Sequence, residues 1–190
     1  MSYFSLVFLG IFSLLISVLS FFNIIYSYYF NLYLNVDSYV YSLILSLIIG
    51  LIFLFKKKDN YKVSIYHKIL TVISGYFLIP LILSIPFFFS IYNISFLDSY
   101  FETISGFTST GFTIFENIKH LDQSLILWRS STQWIGGLYF LFSIILLIDI
   151  FDNNLKKSLT NFITFDTSET LKQSFKILIL YTFLTFFIFI

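Results

Sequence analysis

Apolar residues run in long blocks along this chain, and short polar stretches separate them. Four blocks, at about Tyr3–Ile25, Tyr39–Phe55, Ile69–Tyr92 and Leu125–Ile148, match or approach the roughly 17–25 residues that a helix needs to cross a bilayer. A fifth block, Phe175–Ile190, has 16 residues and ends in Phe-Phe-Ile-Phe-Ile with no polar flank. At 1.5 Å per residue it would extend about 24 Å, short of a hydrocarbon core of about 30 Å. It reads as a helix cut in the middle, so a fragment of a longer protein is expected. The predicted fold is all-α: a polytopic membrane protein with one helix–pore-loop–helix repeat and a re-entrant half-helix.

The most informative stretch lies between the third and fourth blocks. Ser95 followed by Asp98 has the form of a helix-capping box, with Asp in place of the usual Glu or Gln. It predicts a short helix over about 96–107. Some 11 helical residues span about 16 Å, half a hydrocarbon core, so this helix cannot cross. After it come Thr108-Ser109-Thr110-Gly111-Phe112, a hydroxyl-rich segment containing a glycine. Polar backbone sits at membrane depth only when it lines a cavity or is buried in protein. A half-helix followed by an extended loop of carbonyls is the architecture of ion-selectivity filters. The helix enters from outside, so its C-terminal end, which carries about half a negative charge, faces the bilayer centre and favours a cation there. Gly111 supplies backbone angles that turn successive carbonyls toward one axis. The rival reading is an ordinary Gly/Ser/Thr external loop.

Downstream, Leu127-Trp128-Arg129 and Gln133-Trp134-Ile135-Gly136-Gly137-Leu138 carry a second signature. Gly136 and Gly137 permit close helix contact or a bend. Arg129 and Gln133 share a helix face. An Arg near the outer end of a span needs a partner, and Glu102 on the half-helix is the expected one. Lipid headgroups are the alternative. Pro80 and Pro86 are expected to kink the third span.

Charge sets the orientation. Nine of the eleven basic residues, Lys56, Lys57, Lys58, Lys62, Lys68, Lys156, Lys157, Lys172 and Lys176, fall on one side. By the positive-inside rule that side is cytoplasmic, which puts the N-terminus inside and the 93–124 loop outside. Asp37, Asp98, Glu102, Glu116 and Asp122 then gather at the outer mouth. Asp37, Glu116 and Asp122 are expected to be solvated loop carboxylates. The 190 residues are 58% hydrophobic and 11% charged, well away from the roughly 25% charged residues of soluble domains. The chain has no cysteine, which excludes disulfides and thiolate chemistry. His67 and His120 fall on opposite sides and cannot share a metal. No enzyme motif and no nucleic-acid signature is visible, and no cofactor is expected.

These residues carry a resemblance. Phe101-Glu102-Thr103-Ile104-Ser105-Gly106-Phe107-Thr108-Ser109-Thr110-Gly111-Phe112, with the Leu-Trp-Arg and Gln-Trp-Ile-Gly-Gly-Leu runs, resembles the first pore repeat of the Trk/Ktr/HKT potassium-transporter superfamily, closest to the bacterial TrkH type. The diagnostic match covers about residues 95–140. The resemblance implies two preliminary helices over 1–68, a first repeat over 69–150, and the cytoplasmic loop and start of a second repeat over 151–190. It implies K⁺ as the transported ion, with Thr108, Ser109, Thr110, Gly111 and Phe112 forming one quarter of a filter, supported by Glu102, Arg129, Gln133, Gly136 and Gly137. Further repeats, a homodimeric partner, a cytoplasmic nucleotide-binding regulatory subunit and a place in the bacterial cytoplasmic membrane follow from the same resemblance. Two other readings stay open: a structural or energy-coupling subunit of a larger membrane complex, and a non-conducting fragment.

Overall fold

Long apolar runs form helices in lipid, because only a helix or a closed barrel satisfies its own backbone there. A computed structural model describes residues 3–55 and 65–151, together with positions 173, 176, 177, 180, 181 and 184. Among the described residues stand six helices, α1 (Tyr3–Tyr29), α2 (Val36–Phe55), α3 (Ile65–Leu83), α4 (Ile85–Ser90), α5 (Phe96–Phe107) and α6 (Gln123–Phe151), and no strand. Single 3₁₀ turns stand at Tyr33–Asn35 and Ile118–His120. Three stretches, Val7–Tyr29, Tyr33–Phe55 and Tyr66–Ser90, are long and apolar enough to cross a membrane. At 29 residues, α6 is also long enough for a core of about 30 Å. The chain divides into two units, Met1–Phe140 and Leu141–Ile190, and the packing below belongs to the first. In the second, α6 continues to Phe151 and the six later positions are helical. Most of the fifth apolar block, and the basic residues Lys56, Lys57, Lys58, Lys62, Lys156, Lys157 and Lys172, lie outside the described residues.

Small residues join α1 to α2. Gly10 on α1 lies against Gly50 on α2, and Ser13, Ser17 and Ser20 on α1 and Ser42 and Ser46 on α2 are buried. The Ser20 hydroxyl donates to Ser42 Oγ at 3.2 Å, and a Cβ on Gly50 would fall 2.7 Å from Leu14. Small side chains let helix backbones approach closely where lipid removes the hydrophobic drive. The turn between the helices is a Schellman cap: Leu32 N–H donates to Ser27 O and Asn31 N–H to Tyr28 O, with Asn31 at φ 58°.

The third span is broken where the sequence predicts a kink. It stops at Leu83 and restarts at Ile85, with Ser84 between. Pro80 and Pro86 each remove a backbone donor, Pro80 O keeps Ser84 N–H at 2.9 Å, and carbonyls nearby also accept from side chains. Ser84 donates its hydroxyl to Leu81 O at 2.8 Å, and Trp128 Nε1 donates to Leu83 O at 3.0 Å. Tyr100 donates its hydroxyl to Phe77 O at 3.1 Å, and the Thr103 hydroxyl lies 3.2 Å from Pro80 O. Side chains of α5 and α6 thus reach carbonyls on both sides of Pro80 in this stretch.

Candidate functional site

Helix α5 occupies the predicted interval, starting after Ser95 and ending at Phe107. The cap differs in detail from a reciprocal capping box. Ser95 Oγ accepts from Asp98 N at 3.1 Å, and the same hydroxyl donates to Asp98 Oδ2 at 2.7 Å. The helix is inside out by soluble standards. Its buried face carries Ser99, Glu102, Thr103, Ser105, Gly106 and Phe107, while Phe96, Leu97 and Phe101 are exposed. Polar groups turned inward and apolar groups outward suit a helix set among protein in an apolar surround.

Twelve residues carry α5 about 18 Å. Its end is level with the middle of the flanking helices. The Phe107 ring lies 5.7 Å from that of Tyr76 on α3 and 5.4 Å from that of Tyr139 on α6. Gly136 lies against the Phe107 carbonyl so closely that a Cβ there would run into the carbonyl oxygen. Gly137 faces open space, with nothing within 4 Å of the place a Cβ would take. Gln133 is half-buried with its stem beside Gly106, and its amide makes no hydrogen bond among the described residues.

The helix ends in a second Schellman cap. Thr110 N–H donates to Ser105 O at 3.1 Å and Ser109 N–H to Gly106 O at 3.0 Å. Ser109 occupies the left-handed position at φ 57°, where glycine is the usual residue. Gly111 is also left-handed, at φ 78°. Thr108 through Ile114 are exposed. The carbonyls of Thr108, Ser109, Thr110 and Gly111 accept no hydrogen bond among the described residues. Phe112 behaves differently: its carbonyl takes the Ser105 hydroxyl at 2.7 Å, while its ring is exposed.

Glu102 and Arg129 are brought together. Arg129 Nε lies 2.6 Å from Glu102 Oε1, with the carboxylate side chain wholly buried and the Arg side chain 15% exposed. The second oxygen does something sequence reasoning missed. Glu102 Oε2 accepts from the Thr113 hydroxyl and from Ile114 N–H, each at 3.0 Å. One buried carboxylate thus joins α5, α6 and the segment leaving the exposed loop. Ser105 was also missed. Glu102 and Ser105 are three apart on one helix face, and that spacing was the available signal.

Asp122 is a correction. Expected to be a solvated loop carboxylate, it is half-buried and stands where α6 begins. Its Oδ2 accepts from Asn35 Nδ2 at 2.7 Å and from Ser124 Oγ at 3.0 Å. Tyr39 donates to the same Ser124 hydroxyl at 3.0 Å. This network ties the α1–α2 turn to the start of α6. Asp37, Asp98 and Glu116 are exposed. Among the described residues no cluster of metal-ligating side chains occurs.

An all-α polytopic membrane protein with a half-crossing helix between two long ones is the class that this arrangement defines. Residues 36–190 match the family model described as TrkH, a cation transport protein, and the chain belongs to that family. The family is one of cation transporters. An uncharacterized cation transporter of Methanocaldococcus jannaschii is 33% identical over 86 residues, 45% of this chain and 18% of that protein. Trk system potassium uptake protein TrkI of Halomonas elongata is 38% identical over 35% of this chain and 12% of its own length. Trk system potassium uptake protein TrkH of Escherichia coli is 36% identical over 29% of this chain and 12% of its own length. The chain therefore aligns with less than a fifth of each of these relatives. No solved structure matches it.

Proposed function

We propose that this chain takes K⁺ across the bacterial cytoplasmic membrane as the N-terminal portion of a Trk-type transporter, contributing one quarter of the selectivity filter. The observation that carries the proposal is the row of four carbonyls, Thr108 to Gly111, that accept no hydrogen bond among the described residues, at the end of a half-crossing helix. Carbonyls so placed replace an ion's hydration shell, and the α5 dipole adds negative potential at the same depth. Phe112 contributes its backbone path more than its oxygen, because that carbonyl is already engaged by Ser105. Glu102, Arg129 and Gly136 brace the loop. In this reading 1–68 is the preliminary pair, 69–150 the first repeat and 151–190 the approach to the second. Further repeats complete the ring, and the transporter works as a homodimer with a cytoplasmic nucleotide-binding subunit. The relatives' designation as potassium uptake proteins supports the choice of ion.

The test is substitution of Gly111 in the assembled transporter, read by rubidium and sodium uptake in cells lacking their own K⁺ systems. Gly111→Ser places a side chain at φ 78°, which costs about 1–2 kcal/mol. It is expected to shift the carbonyls and lower K⁺ over Na⁺ discrimination by about tenfold, the factor that 1.4 kcal/mol represents. Unchanged uptake and unchanged discrimination contradict the assignment. Orientation has its own check. Cysteine introduced at Glu116 is expected to react with an impermeant reagent added outside, and cysteine at Lys57 only after permeabilisation. The reverse pattern overturns the topology.

A further inference from the structure

We propose that Ser105 and Glu102 are the positioning residues of this pore loop, and that they set its ion discrimination from behind without touching the ion. The inference rests on the filter reading above and names what determines selectivity within it.

The exposed segment has no core of its own, since every side chain from Thr108 to Ile114 is exposed. Its conformation is held at two ends. The inner end is the Schellman cap, where Ser109 N–H and Thr110 N–H reach the Gly106 and Ser105 carbonyls. The outer end is held by side chains alone. Ser105 Oγ donates to Phe112 O at 2.7 Å, and Glu102 Oε2 accepts from Thr113 Oγ1 and Ile114 N, each at 3.0 Å. Between the anchors lies Gly111, with φ 78° and no atom within 4 Å of the place a Cβ would take. Thr108 and Thr110 are also tied to α5, with Thr108 Oγ1 donating to Ile104 O at 2.7 Å and Thr110 Oγ1 to Ser105 O at 3.2 Å, so the stretch whose carbonyl spacing is left to the outer anchors runs from Thr110 through Gly111.

Both outer anchors are built for precision. Ser105 and Glu102 are buried, 4% and 1% exposed, one turn apart on α5. Arg129 takes the other carboxylate oxygen, so Glu102 stays oriented and its charge is compensated. The Ser105 hydroxyl also lies 3.1 Å from Thr110 Oγ1, which links the outer anchor to the inner cap. Discrimination between ions of one charge depends on the number, field and spacing of coordinating carbonyls. A loop whose outer end is released relaxes its spacing and loses preference before it loses flux.

The experiment compares rubidium and sodium uptake by the assembled transporter carrying Ser105→Ala, Ser105→Thr, Thr113→Val or Gly111→Ser. Ser105→Ala removes the donor to Phe112 and is expected to lower the K⁺ to Na⁺ preference about fivefold, the equivalent of one net hydrogen bond of about 1 kcal/mol. Ser105→Thr keeps the hydroxyl and is expected to restore most of the preference. Thr113→Val is expected to lower it by a smaller factor, because Ile114 N–H still reaches Glu102. Thr113 is exposed, so this variant gives a reading even where Ser105→Ala is poorly recovered. Wild-type preference in both Ser105→Ala and Thr113→Val, with preference lost in Gly111→Ser, overturns the positioning role and leaves the filter standing. Wild-type preference in all four overturns both.

Discussion

Replacing Glu102 by Gln is expected to lower the amount of folded protein in the membrane more than any other single polar change. The carboxylate sits at 1% exposure and serves three donors: Arg129 Nε, Thr113 Oγ1 and Ile114 N–H. A glutamine offers one acceptor and turns two donors of its own toward groups that also donate. Removing one partner of a buried ion pair costs about 3–5 kcal/mol, because the remaining charge is stranded. The measurement is thermal unfolding and membrane yield of the variant beside wild type. The double exchange Glu102→Arg with Arg129→Glu separates two explanations. A simple ion pair is rescued by the swap. The three-way clamp is not, because Thr113 and Ile114 then face a cation with no acceptor. Full rescue contradicts the clamp.

The second large effect is expected at Gly136. A methyl there enters the space of the Phe107 carbonyl, which is backbone and cannot rotate away. Overpacking costs about 1–3 kcal/mol where side chains give way, and more where they cannot. Gly136→Val is therefore expected to destabilise the protein by at least about 3 kcal/mol and to separate α5 from α6. The neighbouring glycine is the control. Gly137 has nothing within 4 Å of the position a methyl would occupy, and alanine is about 1 kcal/mol the better helix former. Gly137→Ala is expected to be neutral or slightly stabilising. Equal losses at the two positions, by thermal unfolding, contradict the assignment of the close approach to Gly136.

Part of this architecture is legible in the chain and part is not, for physical reasons. The half-helix can be bounded because its start is a local signal, Ser95 with Asp98, and its length falls visibly short of a span. The Glu102–Arg129 contact can be anticipated because two opposite charges at one depth on adjacent segments have few other partners in lipid. The use of the second carboxylate oxygen cannot, because Thr113 and Ile114 lie in an irregular segment with no periodicity to place them. The left-handed turn at Ser109 is hidden for a related reason: serine carries no such preference, and the cap is imposed by two backbone hydrogen bonds. The kink in the third span can be anticipated from Pro80 and Pro86, but the place of the break, at Ser84, is not marked in its hydropathy. Asp122 reads as a loop residue from its setting, although an Asp directly before a helix is a strong N-terminal residue. The serine and glycine seam of α1 and α2 is written in the sequence, but it is submerged in an apolar block when that block is read for length alone.

The Thr108–Gly111 carbonyls are expected to bind the transported ion, and anomalous diffraction from crystals of the assembled transporter grown in rubidium tests this most directly. The expected result is anomalous density on the pore axis within coordination distance of these carbonyls, lost or displaced in Gly111→Ser. Well-ordered carbonyls with no rubidium beside them, and rubidium bound elsewhere along the pathway, would contradict it.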